Sequence, residues 1–136
     1  MKNFFFVLLF MLFVAGCAKT ETNYKQDITG NWVLYKYVLR NADQTILFES
    51  HFPGYAIAFS GTGQFIETDT TGYANGGTYH FSSNYQKISL DDTMHVFIDT
   101  VLVDSIFERQ YSIFNLTSVS LQLRNDSSEL YLEKKP

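Results

Sequence analysis

From Ile28 onward the chain alternates apolar and polar positions in short stretches broken by turn residues. Trp32, Leu34 and Val38 alternate with Val33, Tyr35 and Tyr37, which predicts a strand over residues 31–40. Asn41-Ala42-Asp43 reads as a turn and residues 45–50 as a second strand. Pro53-Gly54 interrupts the chain ahead of the row Tyr55, Ile57 and Phe59, which has the small Ala56, Ala58 and Ser60 opposite. Gly61-Thr62-Gly63 predicts a hairpin turn, after which Phe65, Glu67 and Asp69 share one face. Residues 71–77 read as a loop, residues 78–82 and 87–90 as strands, and Asp91-Asp92 as a turn. Two strands fit into residues 94–116, with a break expected near Asp104-Ser105. Leu121 and Leu123 mark the next strand, Asn125-Asp126-Ser127 a turn, and Leu130 and Leu132 the last strand.

About ten short strands at a spacing of roughly 8–12 residues are the pattern of an all-β barrel or sandwich. No segment holds a helical period over three turns. Turns this tight favour consecutive antiparallel neighbours, hence an up-and-down meander rather than a Greek key. Closing the sheet removes exposed edges, which matters for a chain so rich in β-formers. The expectation is an up-and-down antiparallel β-barrel of about eight to ten strands, one domain over residues 28–133.

The N-terminus follows a different pattern. Residues 4–15 form an unbroken apolar run, preceded by Lys2 as the only charge. A run of this length falls short of the roughly 20 residues that span a bilayer as helix, and has the size of a signal-peptide core. Val14-Ala15-Gly16-Cys17 then resembles the bacterial lipobox, in which small residues precede an obligatory cysteine. The resemblance implies that the chain is cut after Gly16 and that Cys17 becomes the acylated N-terminus, carrying chains of the palmitate type. Residues 1–16 are thus expected as a signal peptide, and residues 17–27, polar and unpatterned, as a lipidated flexible tether. At about 0.8 kcal/mol per buried CH₂, two or three acyl chains hold a protein on a bilayer. The membrane is then a partner through Cys17. Ala18 stands where enterobacterial sorting reads Asp as retention in the inner membrane, so the expectation is the outer membrane, with the domain on the periplasmic or cell-surface side.

Composition narrows the function. The 136 residues are 46% hydrophobic, 17% aromatic and 18% charged, with a mean hydropathy of −0.08, which excludes a disordered chain and a polytopic membrane protein. Fourteen acids against ten bases give a net charge of −4, which argues against a nucleic-acid partner. Cys17 is the only cysteine, so no disulfide staples the domain and its stability rests on a packed core.

Ile28-Thr29-Gly30-Asn31-Trp32 resembles the Gly-x-Trp opening of lipocalins. The hairpin from Phe59 to Phe65, Gly77-Thr78-Tyr79, and the late pattern Tyr111, Ile113, Leu116, Leu121 and Leu123 are similar to short lipocalin-like domains of bacterial lipoproteins. The resemblance covers roughly residues 28–132 and implies a barrel, with Gly30 and Trp32 as structural residues. It implies little chemistry, because this family is defined by its fold.

A search for chemistry residue by residue yields mostly exclusions. His51, His80 and His95 lack the short spacing of paired metal ligands, so no metal site is expected. No nucleophile elbow is present and no glycine cluster opens a helix, so neither catalytic residues nor a cofactor are expected and an enzyme is disfavoured. Trp32 has two readings, a plug closing one barrel end or a stacking platform for a ligand. In regular strands Lys36 points inward with Trp32 and Leu34, Glu67 with Phe65, and Arg109 with Phe107 and Tyr111, unless a bulge reverses them. On the inward reading, Lys36, Glu67 and Arg109 are the polar groups of a cavity walled by Phe59, Phe65, Tyr79 and Tyr111. Glu67 would pair with one cation and leave the other for the anionic or polar head of an apolar ligand. The function expected is a membrane-anchored barrel binding a small apolar or lipid-like ligand. The alternative is an interaction module docking on another envelope protein or polymer through its outer surface. A cavity of roughly 300 Å³ or more with a mouth separates the two.

Overall fold

The computed structural model describes residues 20–51, 54–98 and 101–136, without the side chains of residues 48, 94–98 and 101–105. The signal segment expected over residues 1–16, and Cys17, lie outside the described residues. The elements are helix α1 (Glu21–Ile28) and strands β1 (Gly30–Arg40), β2 (Ile46–Ser50), β3 (Ala56–Phe59), β4 (Gln64–Thr68), β5 (Ala74–Phe81), β6 (Lys87–Ile98), β7 (Val101–Leu116), β8 (Ser120–Arg124) and β9 (Ser128–Lys134).

All pairings are antiparallel, the strands from β3 to β9 are neighbours in chain order, and β9 pairs back with β1 to close an up-and-down barrel. β2 and β3 lie along the same edge of β1, against its C-terminal and N-terminal halves respectively. Together they make one interrupted barrel strand, so nine strands fill eight positions. Tyr37 pairs with Ser50 and Val33 with Ala56, so four steps along β1 span six along its partner. The surplus falls between Ser50 and Ala56.

Three expectations need correction. Residues 21–28 are helical, not part of a flexible tether. Tyr24 and Ile28, one turn apart, both pack on the core, and Glu21 pairs with Lys25 at 2.7 Å across the same interval. Two apolar residues in eight leave no period for the sequence to show. Second, Asp91-Asp92 is not a turn and the chain does not break at Asp104-Ser105. β6 and β7 pair without interruption from Lys87↔Ser112 to Ile98↔Val101, with Asp92 opposite Phe107 and Ser105 opposite Met94. Third, β5 begins at Ala74 inside the expected loop. Its glycines serve close approach: a Cβ on Gly77 would lie 1.9 Å from the Asp91 carbonyl oxygen of β6.

One barrel end is sealed. Trp32 is fully buried and its indole N–H donates to the Ile28 carbonyl at 2.6 Å, tying β1 to the end of α1. Lys134 Nζ sits 4.8 Å from the indole centroid and donates to the carbonyls of Asp27 and Thr29 at 2.6 and 2.8 Å. Between them Gly30 adopts φ +132°, a conformation that side chains disfavour. Trp32 is therefore the plug. The core residues of the described chain run from Tyr24 to Leu132.

The opposite end is open. β5 pairs with β6 only as far as Asp92, and β8 with β7 only from Ser112. The β6–β7 ribbon therefore rises past its neighbours, and the short β8–β9 hairpin leaves a gap in the wall beside it.

Candidate ligand pocket at the open end of the barrel

The register of β1 decides which of its residues reach this end of the lumen. Leu34 pairs with Leu132 of β9, but Lys36 pairs with Tyr131, so Tyr35 is an extra residue and the alternation reverses there. Lys36 thus leaves the face of Trp32 and Leu34. Its Nζ meets Glu49 at 3.1 Å and lies 5.2 Å from the Tyr131 ring centroid. The inward expectation for Lys36 is overturned by this bulge, and Tyr37 takes the lumen position instead.

Glu67 and Arg109 do come together, on β4 and β7, and β6 adds a group that the sequence reading placed in a turn. Arg109 Nε and Nη2 donate to Asp92 Oδ2 and Oδ1 at 2.6 and 2.9 Å, a bidentate pair. Nη2 also reaches Glu67 Oε1 at 2.9 Å. The Asp92 side chain is 7% exposed, that of Glu67 14% and that of Arg109 24%. The Tyr55 hydroxyl donates to Glu67 Oε1 at 2.9 Å, and the Arg109 charge acts on the Tyr111 phenol.

Electrostatics follow from this packing. Burial works against the Arg109 charge, but the bond to Asp92 and the charge of Glu67 outweigh it and hold its pKa above the ordinary value. Burial, then the charge and hydrogen bond of Glu67, push the Tyr55 phenol up, and burial does the same for Tyr111. Both remain neutral donors in any physiological medium. Two carboxylates surround one guanidinium, so the cluster carries a net charge of about −1. The expectation of a cation left over for an anionic head is corrected: Lys36 is outside with Glu49, and Arg109 is doubly neutralised.

Above this cluster lies a cavity of about 400 Å³, lined by Leu34, Tyr37, Tyr55, Asp69, Thr70, Arg109, Tyr111, Ser128 and Leu130. Asp69 holds the β4–β5 turn at the rim. Its Oδ1 accepts from the Thr71 hydroxyl at 2.6 Å and from the Thr71 and Tyr73 N–H groups at 2.8 and 2.9 Å. These bonds, the Thr71 hydroxyl first, keep its carboxyl below the usual range and therefore ionised.

Of the residues expected around a cavity, Arg109 and Tyr111 line it and Glu67 supports it from below. Phe59, Phe65 and Tyr79 do not. They pack on one another toward the sealed end, with ring centroids 5.1 Å apart for Phe59 and Tyr79, and the Tyr79 hydroxyl is spent on the Ser60 carbonyl at 2.6 Å. Sequence reasoning missed Asp92, Tyr37 and Tyr55 as site residues. Tyr55 had a signal, since it stands on the row of Ile57 and Phe59; Tyr37 had none without the bulge. Among the described residues no three histidine, cysteine or acidic side chains gather as metal ligands, and His80 faces Asp91 at 3.5 Å on an exposed surface.

No family model matches the chain, and no curated protein does. Two solved structures resemble it. A lipocalin-like protein from Bacteroides uniformis aligns with a TM-score of 0.58 at 18% identity, over 80% of this chain and 99% of that one. An uncharacterized protein from Bacteroides eggerthii aligns with a TM-score of 0.58 at 16% identity, over 80% of this chain and all of that one. At such identities the likeness speaks for the fold and leaves function to the site. By its closed eight-position meander and this likeness, the chain has a lipocalin-like β-barrel fold.

Proposed function

We propose that this protein is a lipid-anchored binding barrel that holds a small, partly apolar ligand in the pocket at its open end. The observation that carries the reading is the cavity itself. About 400 Å³ lies within the range of small-molecule sites, and its wall joins apolar and aromatic surface to a few fixed polar groups. The polar groups are held by one another, so the pocket is preformed and a ligand meets little ordering cost on entry. Nile red, a neutral apolar dye, tests this on residues 20–136. The dye is expected to brighten with saturation at one equivalent, and Thr70→Trp, which fills the exposed rim, is expected to weaken it about tenfold. Binding unaffected by Thr70→Trp places the dye elsewhere and removes the support for this pocket.

Anchoring is the second half of the proposal and rests on the Val14-Ala15-Gly16-Cys17 pattern. The Cys17→Ser variant is expected to keep its signal segment and to leave the acylated fraction. Normal cleavage and labelling with a palmitate analogue in that variant would contradict it. The α1 end of the barrel is then the end nearest the membrane, and the pocket mouth faces away from it.

A further inference from the structure

We propose that the ligand is an organic cation, an amine or quaternary ammonium group carried on an apolar body; this rests on the binding reading above and gives it a chemical class. Five features of the pocket argue for it. Asp92 occupies the Nε–Nη2 edge of Arg109, the edge that would grip a ligand carboxylate or phosphate, and Nη2 is shared with Glu67. An incoming anion therefore meets no open fork and must approach two carboxylates already present.

The charge count points the same way. Arg109 is the sole cationic side chain lining the cavity among the described residues, against Asp69 on the rim and the Glu67–Asp92 pair beneath. One guanidinium against three carboxylates makes the potential in the pocket negative, and the partly closed wall strengthens that potential relative to open water. Tyr37, Tyr55 and Tyr111 add three aromatic rings to the lining, the surface that attracts ammonium groups. The Tyr55 proton is committed to Glu67, so toward a ligand its oxygen is an acceptor, suited to an N–H donor. Finally, the third acid has a free side: Asp69 makes its turn bonds through Oδ1 alone.

Three probes with one tail and different heads test the class by calorimetry on residues 20–136: decyltrimethylammonium, decanol and decanoate, each below its micellar concentration. The cation is expected to bind about tenfold or more tightly than decanoate, with decanol between them. Asp69→Asn keeps the Oδ1 acceptor that holds the turn and removes only charge. It is expected to weaken the cation about threefold or more and to leave decanol unchanged. Decanoate binding as well as the cation, or a cation affinity indifferent to Asp69→Asn, overturns the cationic class while leaving the pocket reading intact. Failure of all three probes to bind overturns both.

Discussion

Trp32→Ala is expected to cost about 3–5 kcal/mol of unfolding free energy, a large share of the roughly 5–15 kcal/mol that a domain of this size has. The indole is fully buried, so truncation opens a cavity that α1 cannot collapse into without losing its own seat on the barrel. Two polar groups also lose their setting. The Ile28 carbonyl loses its donor, and Lys134 Nζ, whose pKa burial already lowers, loses the ring 4.8 Å away. Trp32→Phe separates the contributions: it keeps most of the apolar volume and orphans the Ile28 carbonyl, for about 1–3 kcal/mol. Trp32 is the only tryptophan, so urea unfolding must be followed by circular dichroism. A loss under about 1 kcal/mol for Trp32→Ala would place the indole at the surface and contradict the sealed end.

Arg109→Met has the second large effect, about 3–5 kcal/mol near neutral pH. The substitution retains length and apolar volume but leaves Glu67 and Asp92 facing each other in a part-buried site without a cation. Removing the two charges distinguishes this cause from simple loss of packing. The triple variant Arg109→Met, Glu67→Gln, Asp92→Asn should recover much of the loss at pH 7, because it leaves no unpaired carboxylate in the site. A triple variant no more stable than Arg109→Met would show that Arg109 acts by packing alone.

The two clusters differ in how far the sequence revealed them. The sealed end was legible because its residues sit in regular alternation: Trp32, Leu34, Ile57, Phe59 and Phe65 fall on unbroken period-2 rows, and all are buried. What failed were positions where a local signal meant two things. Glycine reads as loop, yet Gly76 and Gly77 sit inside β5, where two neighbouring backbones come too close for a Cβ. Paired aspartates read as a turn, yet Asp92 is buried mid-strand because Arg109, diagonally across on the paired strand β7, neutralises it. Helix α1 was hidden because it owes its existence to Tyr24 and Ile28 docking on the barrel rather than to a period of its own. In the pocket, Glu67 and Arg109 were legible as inward charges, and Lys36 was not, because one extra residue at Tyr35 reverses everything after it. Bulges leave no mark in composition, and this one decides that the pocket is acidic rather than basic.

On the proposed function, the open end of the barrel, not its outer wall, is where the protein meets its ligand. Backbone amide spectra of residues 20–136 titrated with decanol test it most directly. Saturable shifts are expected, concentrated at Leu34, Tyr37, Tyr55, Tyr111 and Leu130, with Ile66, Phe114 and Val119 on the exposed surface unmoved. Shifts confined to those exposed residues, with the pocket silent, would contradict it and leave the outer face as the working surface of the barrel.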